Sequence, residues 1–259
     1  MKVSIITVNL NGNRFLAESI DSVLGQDFPE IELLIVDGGS TDGSLATIVG
    51  ACRKDSRARW ISEPDRGIAD AMNKGIALAT GDIVGFLHSD DRYPNPGVIS
   101  QVATAFASRP EAFWLTGGIS LIKEAGVTFR TFAVRRYSYR RLVRSNIIFH
   151  PSTFVRKEPL RSCLFDANLR LAMDYDLWLR LGVLGDPLLL NQPLSCFRVH
   201  QGSRSLQAAD EALAEEFAIR SSFLKSWGRL TWPYLLHYLV KRLMNRMFIR
   251  GLSLASSGG

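Results

Sequence analysis

The chain has 259 residues, 46% of them hydrophobic, with a formal net charge of +6 and a pI near 9.4. That is ample material for one large domain with an appendage, and it excludes a disordered or acidic chain. The positive balance suits an anionic partner, such as a nucleotide, a nucleic acid or an acidic membrane surface, without choosing among them. Three scattered cysteines, Cys52, Cys163 and Cys196, argue against a disulfide framework or a zinc ribbon and fit a reducing compartment. The N-terminus has no basic segment followed by a long apolar one, so no signal peptide is expected. No apolar run approaches the roughly 20 residues of a membrane-spanning helix.

In chain order, Val3–Val8 predicts a buried strand and Asn11-Gly12-Asn13 a turn. Phe15, Leu16, Ile20, Val23 and Leu24 then recur at helical spacing. Ile31–Val36 is a second strand running into Asp37-Gly38-Gly39-Ser40-Thr41-Asp42-Gly43, where Ser40, Thr41 or Asp42 caps a helix through Leu45, Ile48 and Val49. Arg59–Ser62 is a third strand, Ile68–Leu78 a helix and Ile83–Leu87 a fourth strand. This β-α alternation predicts a mostly parallel sheet covered by helices. Ligands of such sheets bind at the carboxyl ends of the strands. Here those ends carry Thr7-Val8-Asn9, Asp37, Glu63-Pro64-Asp65 and Asp90-Asp91.

Beyond residue 97 the pattern loosens. Val98–Phe106 predicts a helix, Ala112–Gly117 and Ser120–Lys123 two strands around Gly117-Gly118, and Arg135–Arg144 a basic stretch. Met173–Leu181 predicts a helix, and Leu188–Leu190 and Ser195–Val199 two short strands. Two amphipathic helices follow, Ala208–Leu224 and the basic Leu235–Arg250. The expected division is 1–206 (a donor half, 1–97, and an acceptor half, 98–206) and a helical appendage, 207–259.

Adjacent aspartates at a strand end repel unless a cation or hydrogen-bond donors offset them. Mg²⁺ or Mn²⁺ does this with oxygen ligands, often using one or two carboxylates plus substrate phosphates. A solvated turn is the plainer alternative, because Asp-Asp before Tyr-Pro-Asn-Pro is also turn composition.

The segment "VSIITVNLNGNRFLAESIDSVLGQDFPEIELLIVDGGSTDGS" resembles the opening of family 2 glycosyltransferases of the GT-A fold. "EPDRGIADAMNKGIALATGDIVGFLHSDD", "HPSTFVRK" and "LAMDYDLWLRL" continue the likeness, which covers about Lys2 to Ser205. It implies inverting transfer of a sugar from a nucleoside diphosphate sugar to a hydroxyl of a saccharide or polyprenyl-linked acceptor, in polysaccharide or glycolipid assembly. Mg²⁺ or Mn²⁺ is implied as cofactor. Asp91 matches the metal-ligating position and Asp90 the ribose-contacting one, with Ser89 where a strict DXD motif has its first aspartate. Thr7, Asn9 and Asp37 match the base pocket. Gly38 departs from the aspartate that many relatives carry there; a tight turn alone also explains Gly38-Gly39. Asp65, Gly67, Asp70, Asn73 and Lys74 match the donor-facing loop and helix, though Asp70 and Lys74 are also spaced for a surface ion pair.

Asp174 matches the base that takes the acceptor proton, and Met173 stands where relatives often have Glu. Asp176 points to another helix face and suits helix-start electrostatics. His150 matches the acceptor cleft, or is a structural histidine. His200 matches a late segment that supplies a further metal ligand, with Arg198, Ser203 and Arg204 near the phosphates. His88 packs beside the site, and His237 carries no chemistry.

In the appendage, Leu236, Leu239, Leu243 and Met247 form a stripe, with Lys241, Arg242, Arg246 and Arg250 elsewhere and Trp227, Trp232, Tyr234 and Tyr238 adding amphipathic rings. Such a helix lies in a membrane interface or packs on the domain; both readings stay open. The expected location is cytoplasmic, with or without peripheral contact at the inner face of the cell membrane. The alternatives are a sugar nucleotidyltransferase, which wants a glycine- and lysine-rich N-terminal loop that "VNLNGNRFL" does not provide, and a non-catalytic nucleotide-sugar-binding or scaffold protein. No basic-aromatic module for nucleic acid is present.

Overall fold

The computed structural model describes residues 1–134, 136–203, 207–228, 230–231, 234–236 and 238–243. Strands β1 (Val3–Asn9), β2 (Ile31–Asp37), β3 (Ala58–Ser62) and β4 (Ile83–Phe86) alternate with helices α1 (Asn13–Leu24), α2 (Ser44–Lys54) and α3 (Ile68–Leu78). After β4 come α4 (Val98–Ser108), β5 (Trp114–Ile122), β6 (Thr128–Phe132) and α5 (Tyr139–Arg144). A single 3-10 turn at His150–Ser152 leads to β7 (Thr153–Arg156), α6 (Lys157–Ser162), α7 (Met173–Leu184), β8 (Leu188–Arg198) and α8 (Ala209–Ser226). All strands join one sheet in the order β3-β2-β1-β4-β7-β5-β6, with β8 pairing parallel to β5.

The first four strands are parallel, and β1 and β2 are buried along their whole length. That explains their unbroken apolar runs, because helices cover both faces of the sheet. Successive residues serve opposite cores. Ile6, Leu34, Val84 and Phe86 pack toward α3 and α7, whereas Ile5, Leu33, Ile35 and Ile83 pack toward α1 and α4.

The second half departs from expectation at the glycines. Gly117 and Gly118 interrupt no strand; they lie inside the continuous β5. A Cβ on Gly117 would stand 2.4 Å from Leu194 Cγ, and one on Gly118 2.5 Å from Phe132 O. They are required by close approach of the flanking strands rather than by a turn. The β5–β8 register shifts there, which lets Pro193 sit within β8 and fuses the two short strands expected over 188–199 into one. Strands β6 and β7 were not foreseen at all. All three cysteines are free. Among the described residues no helix is long and apolar enough to cross a membrane. Of the basic C-terminal helix, residues 234–236 and 238–243 are helical; Trp232, His237, Arg246, Met247 and Arg250 lie outside the described residues.

Candidate active site

The strand ends converge as the topology requires. Asn9 and Asp37 terminate β1 and β2 as register partners. Asp37 is fully buried and accepts five hydrogen bonds: Asn9 Nδ2 (2.8 Å), Ser40 Oγ (2.6 Å), Ser40 N (3.0 Å), Gly39 N (3.1 Å) and Ser62 Oγ (2.7 Å). Burial alone would raise its pKa; the Ser40, Ser62 and Asn9 donors outweigh it and hold the carboxylate below its ordinary value. The carboxylate has no lone pair to spare and does not line the cavity described next, which corrects the expectation that Asp37 itself faces a base. It works through Asn9. It takes one Nδ2 proton while Ser40 Oγ, at 3.1 Å, takes the other, and together they fix the amide so that Oδ1 is the free end. Asn9 is 4% exposed, and that Oδ1 has no partner.

A cavity of about 490 Å³ opens at this edge, lined among others by Asn9, Phe15, Asp65, Ile68, His88, Ser89, Asp90, Phe197, His200 and Ser203. Gly12 forms part of its wall because a Cβ there would meet Asn9 Oδ1 and Ser89 Oγ, each at 2.5 Å. Asp65 Oδ1 accepts the Gly67 N–H at 2.8 Å, and Oδ2 stands 2.6 Å from where a Gly38 Cβ would be. The missing side chain at position 38 is thus matched by the Asp65 carboxylate entering the same space.

The Asp90-Asp91 pair divides its work. Asp90 Oδ2 lies 3.1 Å from His200 Nε2, and both residues line the cavity. Asp91 does not; it is 1% exposed and accepts the Arg198 N–H at 3.0 Å. Burial, then the charge of Asp90, push its pKa well above the usual carboxylate range. Asp91, expected to ligate a metal, thus does not reach the cavity, whereas Asp90, expected to contact a ribose, lines it beside His200.

Arg198 is also not the phosphate contact anticipated for it. It is 1% exposed, donates through Nε to Asp90 O (2.9 Å) and through Nη1 to Glu124 O (2.6 Å), pairs with Glu18, and lies over the Phe15 ring at 4.5 Å. It clamps the Asp90-Asp91 turn to α1 and β8. Ser203 lines the cavity, and its Oγ accepts the His200 N–H at 3.1 Å, closing the loop that presents the imidazole. Arg204 lies outside the described residues.

Other expected contacts fall away from the wall. Thr7 is buried beneath it with Oγ1 unpartnered. Asp70 and Lys74 form an ion-pair network instead. Asp70 accepts the Arg66 N–H and side chain, each at 3.1 Å, while Lys74 Nζ reaches Glu63 at 2.8 Å and Asp70 at 3.8 Å. Asn73 exchanges two hydrogen bonds with the backbone of Phe165 and so pins the segment before α7.

His88 lines the cavity and stacks on His150, ring centroids 5.3 Å apart. His150 lies behind it, between Phe86 (5.2 Å) and Trp178 (5.9 Å), with neither ring nitrogen hydrogen-bonded. Burial, then His88, push the His150 pKa well below its ordinary value, so the imidazole is neutral. The stack connects the cavity to α7, the helix that carries Asp174.

Asp174 stands in the first turn of α7. Its Oδ1 accepts the Tyr175 N–H (2.7 Å), and its Oδ2 faces Asn146 Nδ2 (3.4 Å). Burial raises its pKa to about 6, opposed by the Tyr175 N–H and assisted by the negative charge of Glu216. Asp176 is committed to Arg180 at 2.8 Å, one turn on.

A family model described as "Glycosyl transferase family 2" matches residues 4–156, more than half of the sequence. The chain belongs to glycosyl transferase family 2. This glycosyltransferase is 31% identical over 195 residues to an uncharacterized glycosyltransferase of Mycobacterium tuberculosis, a match covering 73% of the chain and 71% of that protein. It is 24% identical over 233 residues to a chondroitin synthase of Escherichia coli; the match covers 90% of the chain but 34% of that enzyme, so the chain spans about a third of this relative's length. Among solved structures it resembles the mannosyltransferase PcManGT from Pyrobaculum calidifontis, in complex with GDP-Man and Mn²⁺, with a TM-score of 0.65 at 19% identity over 100% of this chain and 76% of that one. The likeness shows the GT-A fold.

Within this family 2 glycosyltransferase, Asp174 and His200 lie beyond the matched segment. Among its described residues no group of three or more His, Cys, Asp and Glu side chains is placed to hold a metal ion. The Asp90–His200 pair nevertheless fits a divalent cation. It offers one carboxylate oxygen and one imidazole nitrogen, 3.1 Å apart, at a cavity wall, and leaves further positions for phosphate oxygens and water. Sequence reasoning missed the Glu18–Arg198 clamp, Asn146 and Glu216. Their partners are far away along the chain, and no local pattern announces them.

Proposed function

We propose that the chain moves a sugar from a nucleoside diphosphate sugar, with inversion, to a hydroxyl of a saccharide or lipid-linked saccharide at the inner face of the cell membrane. The observation that carries this reading is the cavity at the strand ends, with the unpartnered Asn9 Oδ1 on one wall and the Asp90–His200 pair on another. Membership of family 2 supports transfer over the nucleotidyltransferase and scaffold alternatives.

In this reading Asn9 Oδ1 and Asp65 accept hydrogen bonds from the nucleoside. Both are acceptors held in place by other residues, so they select donors on the ligand. Asp90 and His200 hold Mg²⁺ or Mn²⁺, which when bound offsets the charge that grows on the leaving diphosphate. Asp91 stays a buried buttress that keeps Asp90 in position through Arg198. Asp174 accepts the acceptor proton. Its raised pKa suits a general base, because an acid near the working pH combines ionisation with proton-transfer driving force. His150 and Trp178 form the apolar partition between the two halves, and Asn146 orients the Asp174 carboxylate.

The test is donor turnover by the purified chain with Mg²⁺ or Mn²⁺, comparing wild type with Asp90→Ala and Asp174→Ala. Loss in both, with unchanged melting temperature, supports the assignment. Full activity in either removes that residue from the scheme.

A further inference from the structure

Beyond α8 the chain turns its charged side inward. Lys241 Nζ reaches Glu216 at 3.0 Å and Ser145 Oγ at 3.3 Å, Arg242 Nε lies 3.7 Å from Asp210, and Tyr238 stacks on Phe217 with centroids 4.7 Å apart. What faces water is apolar. Leu236, Leu239, Val240 and Leu243 are 67%, 50%, 49% and 62% exposed, and their i, i+3, i+4, i+7 spacing puts them on one stripe. Scattered single leucines on a surface are ordinary, but a contiguous stripe of four marks a contact.

The same segment is fastened to α5. Ser145, its Lys241 partner, directly follows that helix, and Trp227 packs on Tyr139 at its start. Arg140 and Arg144 are exposed and four residues apart, so they share a face of α5. Among the described residues neither meets an acidic side chain. An aliphatic stripe on a segment fastened to a helix with unpaired guanidinium groups matches the lipid interface, where apolar side chains enter the acyl boundary and cations meet headgroup phosphates.

We propose that the stripe of Leu236, Leu239, Val240 and Leu243, together with Arg140 and Arg144 of the attached α5, docks the chain on an anionic lipid bilayer. The proposal deepens, and for its purpose rests on, the reading of a lipid-linked acceptor. Asn146, which holds the Asp174 carboxylate, is the residue after the Ser145 that anchors Lys241. Docking through this segment therefore sets the acceptor side of the site at headgroup level, where a lipid-carried sugar is found.

The full chain, without donor, is sedimented with vesicles of phosphatidylcholine alone or mixed with phosphatidylglycerol. Wild type is expected to co-sediment with the anionic vesicles and about tenfold less with the neutral ones. Leu239→Glu/Leu243→Glu remains in the supernatant, and its donor hydrolysis, read without vesicles, matches wild type. Arg140→Glu/Arg144→Glu loses the anionic preference, and these two exposed positions keep the test decisive if the leucine variant fails to fold. Wild type that ignores both vesicles overturns the proposal. So does a stable dimer in solution that Leu239→Glu converts to monomer. Vesicle binding by a wild type that turns over no donor supports the surface and counts against the transfer reading alone.

Discussion

His200 Nε2 lies 3.1 Å from Asp90 Oδ2, although 110 residues separate them in sequence. The contact joins the end of the parallel half of the sheet to the loop after β8, so a cation shared by the two would also hold the site closed. Asp90→Ala and His200→Ala should each raise the Mn²⁺ concentration needed for half-maximal donor turnover, and Asp90→Ala should lower saturated turnover by about a hundredfold. Asp91→Asn should behave differently. It leaves the metal requirement near wild type and alters thermal stability. Metal titrations of turnover distinguish the two; an Asp91 variant with the larger metal defect would reverse the assignment.

The pH dependence follows from Asp174. Its pKa, raised to about 6, means that the ionised form needed to accept a proton accumulates as pH rises through that value. Turnover should climb with a midpoint near there. Removing the Glu216 charge with Glu216→Gln should move the midpoint to lower pH, since a like charge is gone. The stability effect has the opposite sense. The folded state holds this proton more tightly than the unfolded chain, whose value is near 4, so stability is lost as pH rises from about 4 to about 6. Asp174→Asn should therefore abolish turnover and raise stability at neutral pH by about 2 kcal/mol, read by urea denaturation.

Arg198 is a buried cation whose partners are backbone carbonyls and Glu18. Replacing it by Ala removes the clamp on the Asp90-Asp91 turn and leaves Glu18 and the carbonyls without a donor. A loss of about 3 kcal/mol is expected, with turnover falling further than stability. Thermal melts and turnover of Arg198→Ala and Arg198→Lys check this. Lys should restore charge but not the three-way contact, because its head is a single point donor.

Position 38 tests how the cavity wall is built. In Gly38→Asp the new Cβ meets Asp65 Oδ2 at 2.6 Å, so one carboxylate must leave. Donor affinity should fall about tenfold, and Gly38→Asp/Asp65→Ala should recover most of it if the two positions share one task. Calorimetric titration with a nucleoside diphosphate decides the matter. A double variant weaker than both single ones would show that Asp65 acts independently.

Much of the first half of the sheet was legible in the sequence. Parallel strands buried on both faces give continuous runs such as Ile31–Val36, and the topology forces their ends to one edge. Local reading went astray where distant chain supplied the partner. Gly117-Gly118 looked like a break because the strands that require two glycines come later in the chain: β8, some seventy residues on, crowds Gly117, and Phe132 of β6 crowds Gly118. Asp37 looked like a ligand contact because sequence shows a carboxylate at a strand end but not the five donors around it. Asp90 and Asp91 are chemically equal in sequence; the distant Arg198 N–H on the buried one and His200 on the half-buried one tell them apart. Lys74 and Asp70 kept the ordinary helical pairing that their spacing allowed.

The saturation of Asp37 has a thermodynamic consequence. Its five donors come from β1, from the loop after β2 and from the end of β3, so three strand termini are tied at a single carboxylate. In the proposed reading, an incoming nucleotide finds Asn9 already oriented and need not freeze the loops itself. Little ordering entropy is left to subtract from its contacts, and affinity at this edge should respond to the number of those contacts more than to any movement of the protein.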